Sequence, residues 1–471
     1  MKAAPPAERQ GGTGAIVAAC LDTQDRDLDL ANRQDVRRRL LDVIGCAIGG
    51  IKANQIAPFH DLVQSWDNGP ATVFGTGRRA SAADAAMINA VQARAYDFEV
   101  CEIDYRQDIN RSTGHIPATV DITALAAAEA AGASGAALVT AAAIGGDLAA
   151  RLATAERFAP GHSFELTGTV TAFGAVAAAG RLWDLKPDQL RHAFGLVLNM
   201  VAGSFQNVWD GAGAFRLPQG MAARQALTAV TLAKRGLTGP VDPFFAPRGY
   251  FAQYTRVYDL AFLTEGLGKR WLTTGYHKAY PSCYGCHAVA EACATLATRL
   301  PGGLDAVTRL IIEMWSDTAE SFLTQPFAPG DSQAKALFNI RYAAARALQS
   351  GGLSPADFGD QALNDPRTQA LIRCVRIDPS LPWDWGHGVA ARVHVDLANG
   401  TRLTAEAPRA LGFPGRALSD ADLADKFRIN LRHAGIDDVE TVEAALSGLQ
   451  QIEDIADLGE LAPRLRACHP C

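Results

Sequence analysis

Apolar residues fall at Val36, Leu40, Val43, Ile44 and Ala47, a three-and-four spacing that predicts a helix with one buried face, closed by glycines. The same texture returns in Ala-rich stretches near 81–95, 117–132, 135–157, 170–183, 187–202 and 220–236, with no convincing strand among them. Ala and Gly at the faces of these segments suit helices packed closely together. Residues 1–14, rich in Pro and Gly and aperiodic, read as a mobile tail. Past about residue 300 the pattern changes. Thr308–Trp315 reads as a strand, and Ala391–Leu397, turned by Asn399-Gly400 into Thr401–Ala407, is a strong hairpin signal. Helices are expected near 333–350 and 360–372, and again from Ser419 and over 437–448. The fold expected is mainly α. A large all-helical domain is formed by 15–271 plus 408–471, and a smaller α+β unit, 272–407, is inserted into it.

Size agrees with two units, since single cores rarely grow past about 250–300 residues and the chain has 471, 48% of them hydrophobic. A net charge of -6 with no Lys/Arg-rich run argues against a nucleic-acid surface or an anionic membrane. Apolar runs are broken by charge or Gly before about 18–20 residues, and no secretion leader is evident, so a soluble cytoplasmic protein is expected. Nine cysteines in such a chain read as reduced thiols.

The densest chemistry is the stretch His277-Lys278-Ala279-Tyr280-Pro281-Ser282-Cys283-Tyr284-Gly285-Cys286-His287, which runs into an Ala-rich helix. Pro281 fixes φ and Gly285 frees it, so an ordered turn should lead into a helix N-terminus, a place suited to a carboxylate. His287, beyond the turn, reads as structural. No Gly-rich phosphate cradle appears, because Gly211-x-Gly213 lacks the preceding strand, and no cofactor is expected.

The chain resembles the MmgE/PrpD family of 2-methylcitrate dehydratases, cis-aconitate decarboxylases and an iminodisuccinate epimerase. The likeness runs from about residue 30 to 435. It rests on Ala95-Tyr96-Asp97-Phe98-Glu99, Ile116-Pro117-Ala118, Thr167–Gly174, Arg216–Ala223, Gly236–Pro240, Lys278–His287, Phe338–Tyr342 and Asp425-Lys426-Phe427. The resemblance implies a helical domain with an inserted lid, a cleft between them and a homodimer. Relatives carry a His a few residues before the Ile-Pro-Ala helix start; here the position seven before Pro117 is Asn110, and His115 lies closer. They also carry Gly-aromatic-His-x-Thr. Here His162 matches with extra residues allowed, Glu165 otherwise takes the slot, and either could serve as a base. A family Lys falls on Phe215, with Arg216 adjacent, leaving Lys278 as the best-matched cation.

The implied chemistry is proton abstraction beside a carboxylate of a small di- or tricarboxylate, without a cofactor. Cations must hold the carboxylates and a base must work near neutral pH. Asp97, His162, His115 and Lys278 are the catalytic candidates. Arg216, Tyr280, Ser282, Asn110 and Cys283 are expected to bind substrate, and no metal is. Lys278 would serve as a base or acid were burial to lower its pKa, and Lys278→Ala is expected to cost activity while folding hardly notices. Loss of β-hydroxide would make a dehydratase, the leading expectation; reprotonation on the other face would make an epimerase, and loss of carbon dioxide a decarboxylase. Two readings of another class are an inactive helical scaffold, and a metal protein joining Cys283-x-x-Cys286 to Cys468-His469-Pro470-Cys471.

Overall fold

A computed structural model describes residues 6–63, 66–103, 112–156, 164–255, 257–386 and 389–460. The longer helices of the first half are α1 (Pro6–Asp22), α2 (Leu30–Gly50), α3 (Ala82–Ala93), α4 (Ile116–Ala131), α5 (Gly135–Ala155), α6 (Val170–Leu182), α7 (Pro187–Val197) and α8 (Leu217–Lys234). Their starts carry the expected caps. The side chains of Asp29, Ser81 and Ser134 accept from the backbone N–H three residues on, filling donors that a helix end leaves unpaired. Where α5 and α6 cross, a Cβ on Gly145 would lie 2.5 Å from the carbonyl of Gly174, so only glycine permits the approach.

Beyond residue 280 follow α9 (His287–Ala297), α10 (Ile340–Ser350) and α11 (Pro366–Cys374), and after the sheet α12 (Asp420–Ala434) and α13 (Val439–Gln450). The strands are β1 (Ala71–Val73), β2 (Arg78–Ala80), β3 (Glu102–Ile103), β4 (Ser112–Gly114), β5 (Val307–Glu313), β6 (Val375–Asp378), β7 (Ala391–Leu397) and β8 (Arg402–Ala407). The last four form one sheet in the order β6-β5-β7-β8, parallel between β5 and β6 and antiparallel elsewhere. In β7 buried and partly exposed residues alternate strictly, the signature of a sheet with one covered face.

Two cores result. One joins Val36 and Ile44 of α2, Ile88 of α3, Val120 of α4, Leu148 of α5 and Phe173 of α6 with Phe427 and Leu431 of α12. The other gathers Val289, Leu310, Leu348 and Val393 and draws in Tyr96, Phe98, Cys101 and Phe215 from the helical half. Each fully buried Leu, Ile or Phe is worth about 1.5–3 kcal/mol, so both cores hold their elements firmly.

Three expectations need correction. Residues 6–14 lie in α1, because Thr13 bonds Asp242 at 2.7 Å and Ile16 and Val17 are buried just behind it. Strands do occur before residue 272, in the pairs β1–β2 and β3–β4, each too short to display a period of two. The helix expected over 333–350 breaks at Asn339, whose side chain accepts from the Tyr342 N–H and starts α10 afresh. α5 is also long and apolar enough by composition to cross a membrane, but 89% of its apolar window is buried inside the protein, as in a core helix.

Candidate functional site

The site is built where α3 ends. Arg94 closes that helix, and Asp97 follows in a left-handed conformation with φ 48°, which Asp tolerates better than most residues. The chain then extends past Glu99, and Cys101 exchanges two backbone hydrogen bonds with Tyr276, of 3.0 and 2.6 Å. That bridge lays the 276–283 turn along 97–101, and the Ser282 N–H reinforces it by donating to the Asp97 carbonyl at 3.3 Å.

Charges converge here almost without solvent. Lys278 Nζ donates to Asp97 Oδ1 at 2.6 Å, to the Asp97 carbonyl at 2.8 Å and to the Ser282 carbonyl at 3.3 Å. Arg94 pairs with the same Asp97 oxygen and lies 3.4 Å from Glu99 Oε1, with its guanidinium over the Phe215 ring. From the start of α4, His115 places Nε2 3.6 Å from Asp97 Oδ1 and Nδ1 2.8 Å from Glu99 Oε1, the latter a close contact outside hydrogen-bond geometry. Asp97, Glu99, Arg94 and Lys278 are all 2% exposed or less.

Burial and charge act against each other on every group. Burial alone would raise the Asp97 pKa, but Arg94 and then Lys278 outweigh it and hold the carboxylate ionised. Glu99 is likewise held below its ordinary value, by His115 and Arg94 against the cost of burial. Burial and the nearby Arg94 depress His115, leaving it neutral at pH 7. Glu165 stands apart: burial pushes it up to about 7, with Arg94 offsetting only part of the cost.

The structure thus brings Asp97, His115 and Lys278 together. Asn110 and His162 lie outside the described residues. Arg216 spends its donors on the carbonyls of Ala95 and Asn54 and on Gln333 Oε1, at 2.8 to 3.1 Å, rather than on the Asp97 cluster. The lowered pKa that a base role for Lys278 requires is not found: burial would lower it, but the Asp97 charge overrides this and raises it. Nor can folding be indifferent to this buried residue, since removing one partner of a buried ion pair costs about 3–5 kcal/mol. Ser282 Oγ is buried and has no hydrogen-bond partner among the described residues. Tyr280 stacks edge-on against His287 at 5.7 Å, and Cys283, its thiol raised to about 11 by burial and by Asp97, anchors its N–H to the Leu337 carbonyl. His287 bonds Tyr276 Oη at 2.9 Å and, with burial lowering its pKa to about 3, stays neutral.

Two contributors had a faint signal in the sequence. Arg94 and Glu99 flank Asp97 as charges in an otherwise apolar run, a pattern that points to a buried ion network rather than a solvated face. Lys426 gave less. Its ammonium donates to Asp42 Oδ2 at 2.8 Å, the Phe98 carbonyl at 2.7 Å and the Lys278 carbonyl at 3.0 Å, and so ties both site segments to α12.

Asp97, Glu99 and His115 offer three atoms within 4.8 Å of one another, a possible cation seat. Lys278 and Arg94 already neutralise its carboxylates, so a divalent ion would meet two fixed positive charges. A substrate carboxylate competing with Asp97 for the same two cations suits the electrostatics better. Cys286 is fully buried in the second core, and residues 461–471, with the terminal Cys pair, lie outside the described residues.

Residues 15–263 match the MmgE/PrpD N-terminal domain and residues 280–450 the MmgE/PrpD C-terminal domain. Among curated proteins the chain is similar to the cis-aconitate decarboxylase of Homo sapiens, 23% identical over 93% of this chain and 91% of that protein. It is also similar to the cis-aconitate decarboxylase of Mus musculus, 24% identical over 64% of this chain and 62% of that protein's length.

Proposed function

Because the chain belongs to the MmgE/PrpD family, we propose that it is a cofactor-independent lyase acting on a small di- or tricarboxylate. The observation that carries this is the convergence of the Lys278 ammonium and the Arg94 guanidinium on one carboxylate oxygen in a buried cluster. A substrate carboxylate drawn to those cations would have its developing aci-carboxylate charge stabilised where water cannot screen it. In the leading reading, a base takes the proton beside that carboxylate and the β-hydroxide leaves with its bonding pair, so that the products are an alkene and water. Asp97 orients the two cations, the proton taken by the base leaves with the hydroxide, and His115, neutral at pH 7, can hydrogen-bond the departing oxygen.

A second reading, decarboxylation, is favoured by what both similar curated proteins are called. There the bond to carbon dioxide breaks, its pair stays on carbon, and a proton from the site completes the product. An inserted lid and a homodimer remain parts of the proposal.

The test is incubation of the purified protein with a panel of citrate- and aconitate-like acids in deuterium oxide, followed by NMR. Dehydration, decarboxylation or deuterium exchange of at least one acid is expected. A panel untouched by all of these and by epimerisation would sink the proposal.

A further inference from the structure

We propose that Glu165 is the residue that moves the proton in this site, with its Oε2 accepting the hydrogen from the carbon beside the carboxylate held by Lys278 and Arg94. The proposal rests on the polycarboxylate reading above and names the base that reading requires.

Glu165 is 7% exposed and its backbone is pinned. Its N–H donates to the Gly203 carbonyl at 3.1 Å and its own carbonyl accepts from the Gly168 N–H at 3.2 Å. Such a residue is not free to swing out to solvent. Yet its Oε2 is buried with no hydrogen-bond partner among the described residues, a state that costs free energy and that a fold tolerates when the atom has another use. The short helical turn that Glu165 opens, Leu166–Gly168, packs on the segment leading into His115, where a Cβ on Gly114 would lie 3.6 Å from Thr167 Oγ1, so this carboxyl stands beside the His115 end of the charged cluster, with Arg94, Asp97 and Glu99 in electrostatic reach.

The other candidates are less fit. Asp97 Oδ1 is occupied by both cations, which makes it a weak base. Glu99 also has oxygens outside hydrogen-bond geometry, but His115 and Arg94 hold it ionised. Lys278 spends its donors on Asp97 and Ser282. Glu165, with a pKa of about 7, is matched to giving and taking a proton near neutral pH.

The step balances. The C–H bond breaks, its proton goes to Glu165 Oε2, and the pair spreads into the adjacent carboxylate. The β C–O bond then breaks, hydroxide leaves with its pair, the C=C forms, and the proton held on Glu165 leaves with hydroxide as water. In decarboxylation the same oxygen supplies the proton that replaces carbon dioxide, and is reprotonated from solvent.

The experiment compares wild type with Glu165→Gln and Glu165→Asp on whichever acid the wild type converts in deuterium oxide, with pH profiles and melting temperatures. Glu165→Gln should keep KM within about threefold while kcat falls about 10²–10⁴-fold and deuterium exchange at carbon disappears. Glu165→Asp retains a carboxylate, and should keep measurable turnover with the pH limb near 7 displaced. Should Glu165→Gln not fold, that displaced limb decides alone. A folded Glu165→Gln within tenfold of wild-type kcat, or a Glu165→Asp with the wild-type pH profile, overturns the assignment while leaving the polycarboxylate reading intact. A wild type inert on every acid overturns both.

Discussion

Two buried polar clusters meet the 276–283 turn, one through His277 and one through Lys278, and are treated in opposite ways. Asp42, on α2, has its hydrogen-bonding capacity filled: Lys426 and His277 at Oδ2, the Val100 N–H at 3.0 Å and the Cys46 thiol at Oδ1. In the Asp97 cluster, Glu165 Oε2, Ser282 Oγ and both oxygens of Glu99 lack hydrogen bonds among the described residues. A filled cluster fixes geometry, whereas an unfilled one keeps room for a partner that arrives later. Under the proposed function the contrast divides the work: the Asp42 side braces, and the Asp97 side reacts.

The largest effect should come from breaking the reacting side. Lys278→Ala removes the ammonium from the carboxylate seat and should cost kcat/KM about 2–5 kcal/mol, roughly 30-fold to several thousand-fold. Lys278→Arg should also fail, since a planar fork does not replace a compact ammonium in a closed site. Steady-state kinetics on the acid found by NMR decides. Activity near wild type in Lys278→Ala would take the turn out of the chemistry.

Breaking the bracing side should show first in stability. Burial would raise the Asp42 pKa, but Lys426 and His277 overcome it and hold the group at about 2, below its ordinary 3.8. A depressed folded-state pKa means a contribution that is complete above about pH 4 and lost as pH falls toward 2, worth on the order of 2 kcal/mol. Asp42→Asn should therefore lower the melting temperature clearly at pH 7, with the gap to wild type closing toward pH 2. A gap that widens on acidification would contradict the pairing.

The smallest effect sharpens the boundary between the two sides. Arg216→Lys loses carbonyl contacts at Ala95 and Asn54 and should cost about 1–3 kcal/mol of stability, read by urea titration, with kcat/KM changed less than threefold. A large kinetic loss without destabilisation would return Arg216 to the substrate.

Much of this was legible from pattern alone. Helices such as α4 to α6 and the β7–β8 hairpin announce themselves through periodicity and turn residues, which are local signals. Lys278, Asp97 and His115 stood out because their motifs resemble a family's. What stayed hidden is what only folding juxtaposes. Lys426 meets the Phe98 carbonyl across 328 positions and Asp42 across 384, separations on which no periodicity bears. Three-residue strands such as β1 are below the length at which alternation can be recognised.

The Cys101–Tyr276 bridge has a mechanical consequence. Together with the Ser282–Asp97 bond and the grip of Lys426 on both Phe98 and Lys278, it makes the cation and its seat one rivet through the two halves of the chain. A hinge near residue 276 would have to shear that rivet, at roughly 0.5–1.5 kcal/mol for each backbone bond and more for each bond to an ammonium. Any movement that spares the rivet leaves the carboxylate seat assembled, whatever else in the site opens.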